Sequence, residues 1–151
     1  LPDTPEDGGG FGVGMRRHSY MGYGGSAEYV QALRDVVRVL MIEKRGAVEQ
    51  LEEILALPGL DMVQWGPADY SMNIGKAGQR GAPEVREAED TVTKKALEMG
   101  IHPRIEIGTP DQARRYLDMG VRHFCMNTDL VILYSWLKEN GDEMRKALEG
   151  H

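Results

Sequence analysis

The sequence predicts an α/β fold built on a parallel sheet, and three observations carry that reading. Short apolar runs alternate with longer stretches of helical period about four times, without a break, across residues 26–137. The segment from Val39 to Ser71 holds a complete strand–helix–strand repeat in the ~30 residues that a βαβ unit takes. The helical stretches close on chain-reversing residues, Pro58-Gly59, Gly100 and Gly120.

The central unit sets the pattern. Val39-Leu40-Met41-Ile42 is an apolar strand that stops on Glu43, and Met62-Val63-Gln64-Trp65 is a second, followed by Gly66-Pro67-Ala68-Asp69-Tyr70-Ser71. Between them one amphipathic helix is expected, with Ala47, Val48, Leu51, Ile54 and Leu55 on one face and Glu49, Gln50, Glu52 and Glu53 on the other. Glu43 and Asp69 then occupy equivalent places, each just past the carboxyl end of its strand. Adjacent strands lie ~4.8 Å apart, and ligands of parallel sheets bind at that end. Two carboxylates there can share a hard divalent cation, or be a loop residue and a helix cap.

The Glu43 strand end, the Pro58-Gly59-Leu60-Asp61 turn and above all Gly66-Pro67-Ala68-Asp69-Tyr70-Ser71 resemble the HpcH/HpaI family, from about Gly12 to Leu133. The resemblance implies a metal-dependent, pyruvate-specific class II aldolase on a (β/α)8 TIM barrel. It implies Glu43 and Asp69 as ligands of Mg, Mn or Co. It also implies that Gly66, Pro67, Ala68 and Asp69 bind substrate, with backbone amides around Ala68 and Asp69 holding the pyruvate carboxylate. The expected reaction is aldol cleavage or condensation of 2-oxo acids through a pyruvate enolate, with an aldehyde acceptor, as in 4-hydroxy-2-oxo acid aldolases. A related lyase, an oxaloacetate decarboxylase or a citrate-lyase β-like protein, stays open, as does a non-catalytic scaffold. The family's base and carboxylate-binding Arg are expected upstream of Leu1, so no catalytic residue is assigned here.

Departures from the family pattern bear on the substrate. Met41 stands where the family often carries Gln, near the oxo group, and Arg104-Ile105-Glu106 replaces a small apolar strand segment. Met41 and Glu106 are therefore candidate substrate-binding residues. Arg104 and Glu106 share one strand face, as a salt-bridged pair or, the reading favoured, as a changed pocket.

The remaining elements follow in order. Leu1 to Gly14 is rich in Pro, Asp and Gly with little to pack; its glycines lack the Gly-x-Gly-x-x-Gly spacing and no strand precedes them, so a mobile loop is expected rather than a phosphate cradle. Arg16, Arg17 and His18 read as substrate contacts or, the reading favoured, a solvated basic turn. Ser26 caps a helix through Tyr29, Val30 and Leu33. A polar loop, Met72 to Ala82, carries Lys76 and Arg80, either contacts for an anionic substrate or, the reading favoured, solvated. Pro83 opens a helix through Met99, and Arg104 to Ile107 is the third strand. A helix from Thr109 to Gly120 leads to a fourth strand, His123 to Met126, then to helices Leu130–Leu137 and Gly141–Leu148. His102 and His123 open strands, at the non-catalytic end, and Cys125 reads as a small core residue. Trp65 and Tyr70 flank the Gly-Pro-Ala-Asp turn as packing residues or pocket walls.

With 151 residues, 41% of them hydrophobic, the chain can bury one core. The organisation expected is a single domain, with a Gly-rich region over 1–25, βα units over 26–137 and a terminal helix over 138–151. Eighteen basic against twenty-four acidic residues, interleaved, give −6 and argue against a nucleic-acid footprint. One cysteine fits a reducing compartment, and no apolar run reaches the ~20 residues of a membrane span, so a cytoplasmic protein is expected. Four units are half of an eight-unit barrel, corresponding to strands five to eight, so the N-terminal half of the barrel is an expected partner. The others are a 2-oxo acid, an aldehyde and, by the resemblance, further copies in a hexamer, with Trp136 and Leu137 as a subunit contact.

Overall fold

The computed structural model describes residues 1–10, 12 and 24–149. The chain divides into two compact units, Leu1–Arg38 and Val39–His151, where the sequence reading treats it as one.

In the first unit the start of the chain is folded on itself rather than loosely packed. A Cβ on Gly9 would lie 2.1 Å from the Leu1 carbonyl oxygen, so only glycine admits the approach. Thr4 Oγ1 donates to Asp7 Oδ2 at 2.7 Å, and Arg34 pairs with Asp7 at 3.0 Å. These two partners hold the Asp7 carboxyl below its usual range. Helix α1, Ala27–Arg34, is capped as expected, with the Tyr29 amide donating to Ser26 Oγ at 3.2 Å. Tyr29 and Leu33, one turn apart, are its buried residues. Phe11, Val13, Gly14, Arg16, Arg17 and His18, read as loop and basic turn, lie outside the described residues.

The second unit is a four-stranded parallel sheet, β1 (Val39–Ile42), β2 (Met62–Trp65), β3 (His102–Ile107) and β4 (His123–Met126), in the order β1-β2-β3-β4. Every strand pairs in parallel with the next, as βαβ connections require. Strand β3 shows why one face is packed and the other free. Pro103, Ile105 and Ile107 are buried, whereas His102, Arg104 and Glu106 alternate with them on the opposite face. The packed face meets α5, Pro83–Glu98, which buries Val85, Ala88, Val92 and Ala96 in one cluster with Ile42, Val63 and Trp65. A smaller cluster of Ile105, Ile107 and Val121 sits against α6, Ala113–Met119, which a 3-10 turn at Pro110–Gln112 leads into and Gly120, at φ 103°, ends.

Three elements differ from expectation. The helix after β1 is two pieces, α2 (Arg45–Glu49) and α3 (Leu51–Leu55), meeting at Gln50, where φ −104° and ψ 23° leave the helical region. Leu51 and Leu55 of the second piece are buried in the core. Next, Gly66-Pro67-Ala68-Asp69-Tyr70-Ser71 is not simply a turn: Pro67 opens α4, Pro67–Asn73, and shortens the loop expected from Met72. Finally, the two C-terminal helices are one, α7, Asp129–Glu149. Gly141 keeps a negative φ and so does not break it. Lys138 to Asp142 at 2.7 Å and Asn140 Nδ2 to the Trp136 carbonyl at 2.8 Å span the expected gap. Among the described residues no helix is long and apolar enough to cross a membrane.

Candidate active site

The site grows out of a close backbone approach at the carboxyl ends of β1 and β2. Ile42 pairs with Trp65, and the Gly66 amide donates to the Ile42 carbonyl at 3.0 Å, so Glu43 and Gly66 leave the sheet side by side. A Cβ on Gly66 would stand 2.8 Å from Glu43 Cβ, 3.0 Å from Glu43 Oε2 and 3.2 Å from the Met41 terminal methyl. The glycine is thus required by space, because the Glu43 side chain and the Met41 thioether lie over its bare backbone.

From Gly66 the chain turns directly into α4, whose first turn carries Asp69. The turn is braced: Ser71, fully buried, donates through Oγ to the Ala68 carbonyl at 2.7 Å, and the Tyr70 amide donates to the Gly66 carbonyl at 3.0 Å. The Arg45 amide, beyond β1, donates to Asn73 Oδ1 at 2.9 Å, tying the two loops together. Glu43 and Asp69 are both half-buried. Among the described residues no group of three or more His, Cys, Asp or Glu is gathered as a metal site. Glu43 and Asp69 are carboxylates, and the chemistry of such a pair fits a hard divalent cation that keeps several positions for water and substrate.

The flanking aromatics do not form pocket walls. Trp65 and Tyr70 are buried in the core, ring centroids 4.7 Å apart and tilted at 49°. Trp65 Nε1 is buried without a hydrogen-bond partner. His102 and His123 meet edge to face at 5.0 Å at the amino ends of β3 and β4, the opposite end of the sheet from Glu43. Cys125 is half-buried, with Sγ 3.5 Å from the Asn127 carbonyl.

Arg104 and Glu106 are neither a direct ion pair nor independent. Gln64, nearly fully buried, lies between them: Arg104 donates to Gln64 Oε1, and Gln64 Nε2 donates to Glu106 Oε1 at 2.6 Å. Arginine can only donate and a carboxylate only accept, so the amide has one orientation that serves both. The sequence reading passed over Gln64; its one signal is a polar residue within an otherwise apolar strand.

Two cavities open at this end of the sheet, of about 590 and 440 Å³, and share Pro67, Arg80, Glu106 and Ile107 as walls. Arg80 is exposed, as the favoured sequence reading has it, and also lines both cavities, whereas Lys76 is bound to Glu84 at 2.5 Å. The larger cavity also has Glu89 and Tyr116, joined by a 2.9 Å hydrogen bond from the phenol. Burial raises the Glu89 carboxyl above its usual range, against the pull of Tyr116. Burial and the adjacent Glu89 push Tyr116 up to about 12. Arg115 stacks over the Tyr116 ring at 5.5 Å and pairs with Asp90.

A parallel α/β sheet whose four strands neighbour one another in chain order is TIM-barrel-like. The chain belongs to the HpcH/HpaI aldolase/citrate lyase family, whose model matches residues 11–129. It is 36% identical over 107 residues to a 4-hydroxy-2-oxo-heptane-1,7-dioate aldolase of Escherichia coli, covering 70% of this chain and 41% of that protein. An HpcH/HpaI aldolase/citrate lyase family protein of Burkholderia cenocepacia J2315 superposes with a TM-score of 0.74 at 29% identity, over 94% of this chain and 56% of the other. An HpcH/HpaI aldolase of Desulfitobacterium hafniense DCB-2 gives 0.69 at 26% identity, over 79% and 47%. The chain thus spans about two fifths to a little over half the length of these relatives.

Proposed function

We propose that this chain forms part of a carbon–carbon lyase that cleaves 4-hydroxy-2-oxo acids to pyruvate and an aldehyde, and joins them in reverse. The observation that carries the reading is the Glu43 carboxylate lying over Gly66 at the entry to the helix that bears Asp69. Glu43 and Asp69 are the residues that would hold Mg, Mn or Co. When bound, such a cation acts as a Lewis acid, offsetting the negative charge that develops on the 2-oxo oxygen as pyruvate loses a methyl proton. The Gly66-Pro67-Ala68-Asp69 segment presents backbone to the 2-oxo acid, and its bracing by Ser71 and Tyr70 holds that backbone in one conformation.

The four strands take the places of the fifth to eighth strands of a (β/α)8 barrel, in this reading. Support comes from the unbroken order of the parallel sheet and from the outer edges of β1 and β4, unpaired among the described residues. The base and the carboxylate-binding Arg belong to the other strands. The exposed Leu130, Leu133, Trp136 and Leu137 of α7 support a homo-oligomer joined through that helix.

The test is exchange of pyruvate methyl protons in D2O, followed by NMR in a preparation containing the complete barrel, with Mg, Mn or Co against chelator. Metal-dependent exchange is the expected result, with oligomer size recorded on the same sample. Absence of exchange with every metal would sink the lyase reading.

A further inference from the structure

Beside Pro67 lies a second set of polar groups, built around Glu106. Its Oε1 is bound by Gln64 Nε2, whose amide is in turn oriented by Arg104. The Arg104 charge is thereby directed at Gln64, and Glu106 keeps acceptor capacity that no described residue fills. Glu106 itself is solvent-accessible and forms part of the wall of both cavities beside Pro67, the residue that follows Gly66. Opposite in charge, Arg80 lines the same two cavities, and no described residue accepts a hydrogen bond from it or pairs with it.

We infer that Glu106 is a specificity-determining residue that selects hydroxylated aldehydes as acceptors. The inference rests on the aldolase reading above and adds the class of its second substrate. A hydroxyl group both donates and accepts, so one ligand hydroxyl can give its proton to Glu106 while it, or its neighbour, takes one from Arg80. A plain aliphatic aldehyde leaves a charged acceptor without a donor. An aldehyde ending in a carboxylate meets like charge at Glu106; in the smaller cavity Arg80 is the one cation among the lining residues, and in the larger one Arg86 and Arg115 join it, the latter already paired with Asp90. The rest of the smaller cavity suits a polar ligand held in fixed geometry. Asn127, at φ 57°, donates to the Gly108 carbonyl at 2.9 Å, and the Gly108 amide donates to Gln112 Oε1 at 2.7 Å, so this wall is locked by its own hydrogen bonds.

A hydrogen bond to a charged group corresponds to a preference of about 10- to 100-fold. The experiment compares kcat/KM for glyceraldehyde, butanal and succinic semialdehyde with pyruvate as donor, in the complete barrel and its Glu106→Leu and Glu106→Gln variants. Expected is a preference of that size for glyceraldehyde over both others. In Glu106→Leu the glyceraldehyde-to-butanal ratio should fall towards one. In Glu106→Gln, which keeps an acceptor and loses the charge, that ratio is largely retained while discrimination against succinic semialdehyde relaxes. Ratios within one preparation cancel any loss of folded protein, and the glutamine variant stands if the leucine variant does not fold. Equal use of butanal or succinic semialdehyde by the unmodified protein, or ratios unmoved in both variants, would overturn the inference and leave the lyase reading intact. Missing pyruvate proton exchange in the unmodified protein overturns both.

Discussion

The two halves of the sheet's carboxyl-terminal edge are built by different means. Across β1 and β2 the site is made of backbone: Gly66 has no side chain, Glu43 lies over it, and Ser71 and Tyr70 brace the turn through main-chain carbonyls. Across β2 and β3 it is made of side chains, with Gln64 holding Arg104 and Glu106 from the face that the helices leave free. Backbone geometry tolerates little change, because moving it disturbs the sheet ladder as well. A side-chain relay can be altered one residue at a time. The chemistry shared by a family is expected in the first region and the choice of substrate in the second.

The comparison breaks most readily at the carboxylates. Glu43→Gln or Asp69→Asn should reduce metal-dependent pyruvate exchange to below about 1% while leaving thermal unfolding little changed. Gly66→Ala should lose exchange and stability together, by roughly 1–3 kcal/mol, because the new methyl must displace Glu43. Denaturant unfolding beside the exchange assay separates this double loss from the first case. If Gly66→Ala keeps both, the backbone account fails.

On the other side, Gln64→Leu should leave pyruvate exchange largely intact and lower the glyceraldehyde preference, with a stability cost of roughly 1–3 kcal/mol for the unpaired Arg104. A loss of exchange as large as that of Glu43→Gln would erase the distinction between the two regions. The smallest effect concerns Glu89. Its carboxyl is raised by burial, so the stability linked to it is full below the ordinary glutamate range and is lost as pH rises through the elevated value. Glu89→Gln retains an acceptor for Tyr116, and should raise the melting temperature slightly at neutral pH and not at pH 3, read by calorimetry.

The same contrast explains what could be read in advance. Glu43 and Gly66-Pro67-Ala68-Asp69 each sit in one contiguous string, and the βαβ rule alone brings the strings together. The Gln64–Arg104–Glu106 relay needs a partner 40 residues away and a knowledge of which strand face is free, neither of which local pattern supplies. Arg80 sat in a loop with no periodicity to aim it. Apolar period correctly indicated helix on both sides of Gln50, but one backbone excursion there does not disturb a pattern in which Leu51 and Leu55 remain a turn apart. At Gly141 the opposite error arose: the polar stretch before it reads as a gap ahead of a new helix, whereas a glycine whose φ stays negative lets one helix run through.

Gly66 also constrains the order in which this site can change over generations. While Glu43 is present, any side chain at 66 collides with it, so mutants at 66 are purged as long as the carboxylate is needed. A lineage in which residue 43 becomes anything but glycine keeps that Cβ, 2.8 Å from where a Cβ at 66 would stand, so the collision outlasts the carboxylate. The bare glycine is therefore retained after the chemistry is gone, and restoring the single glutamate restores the pair.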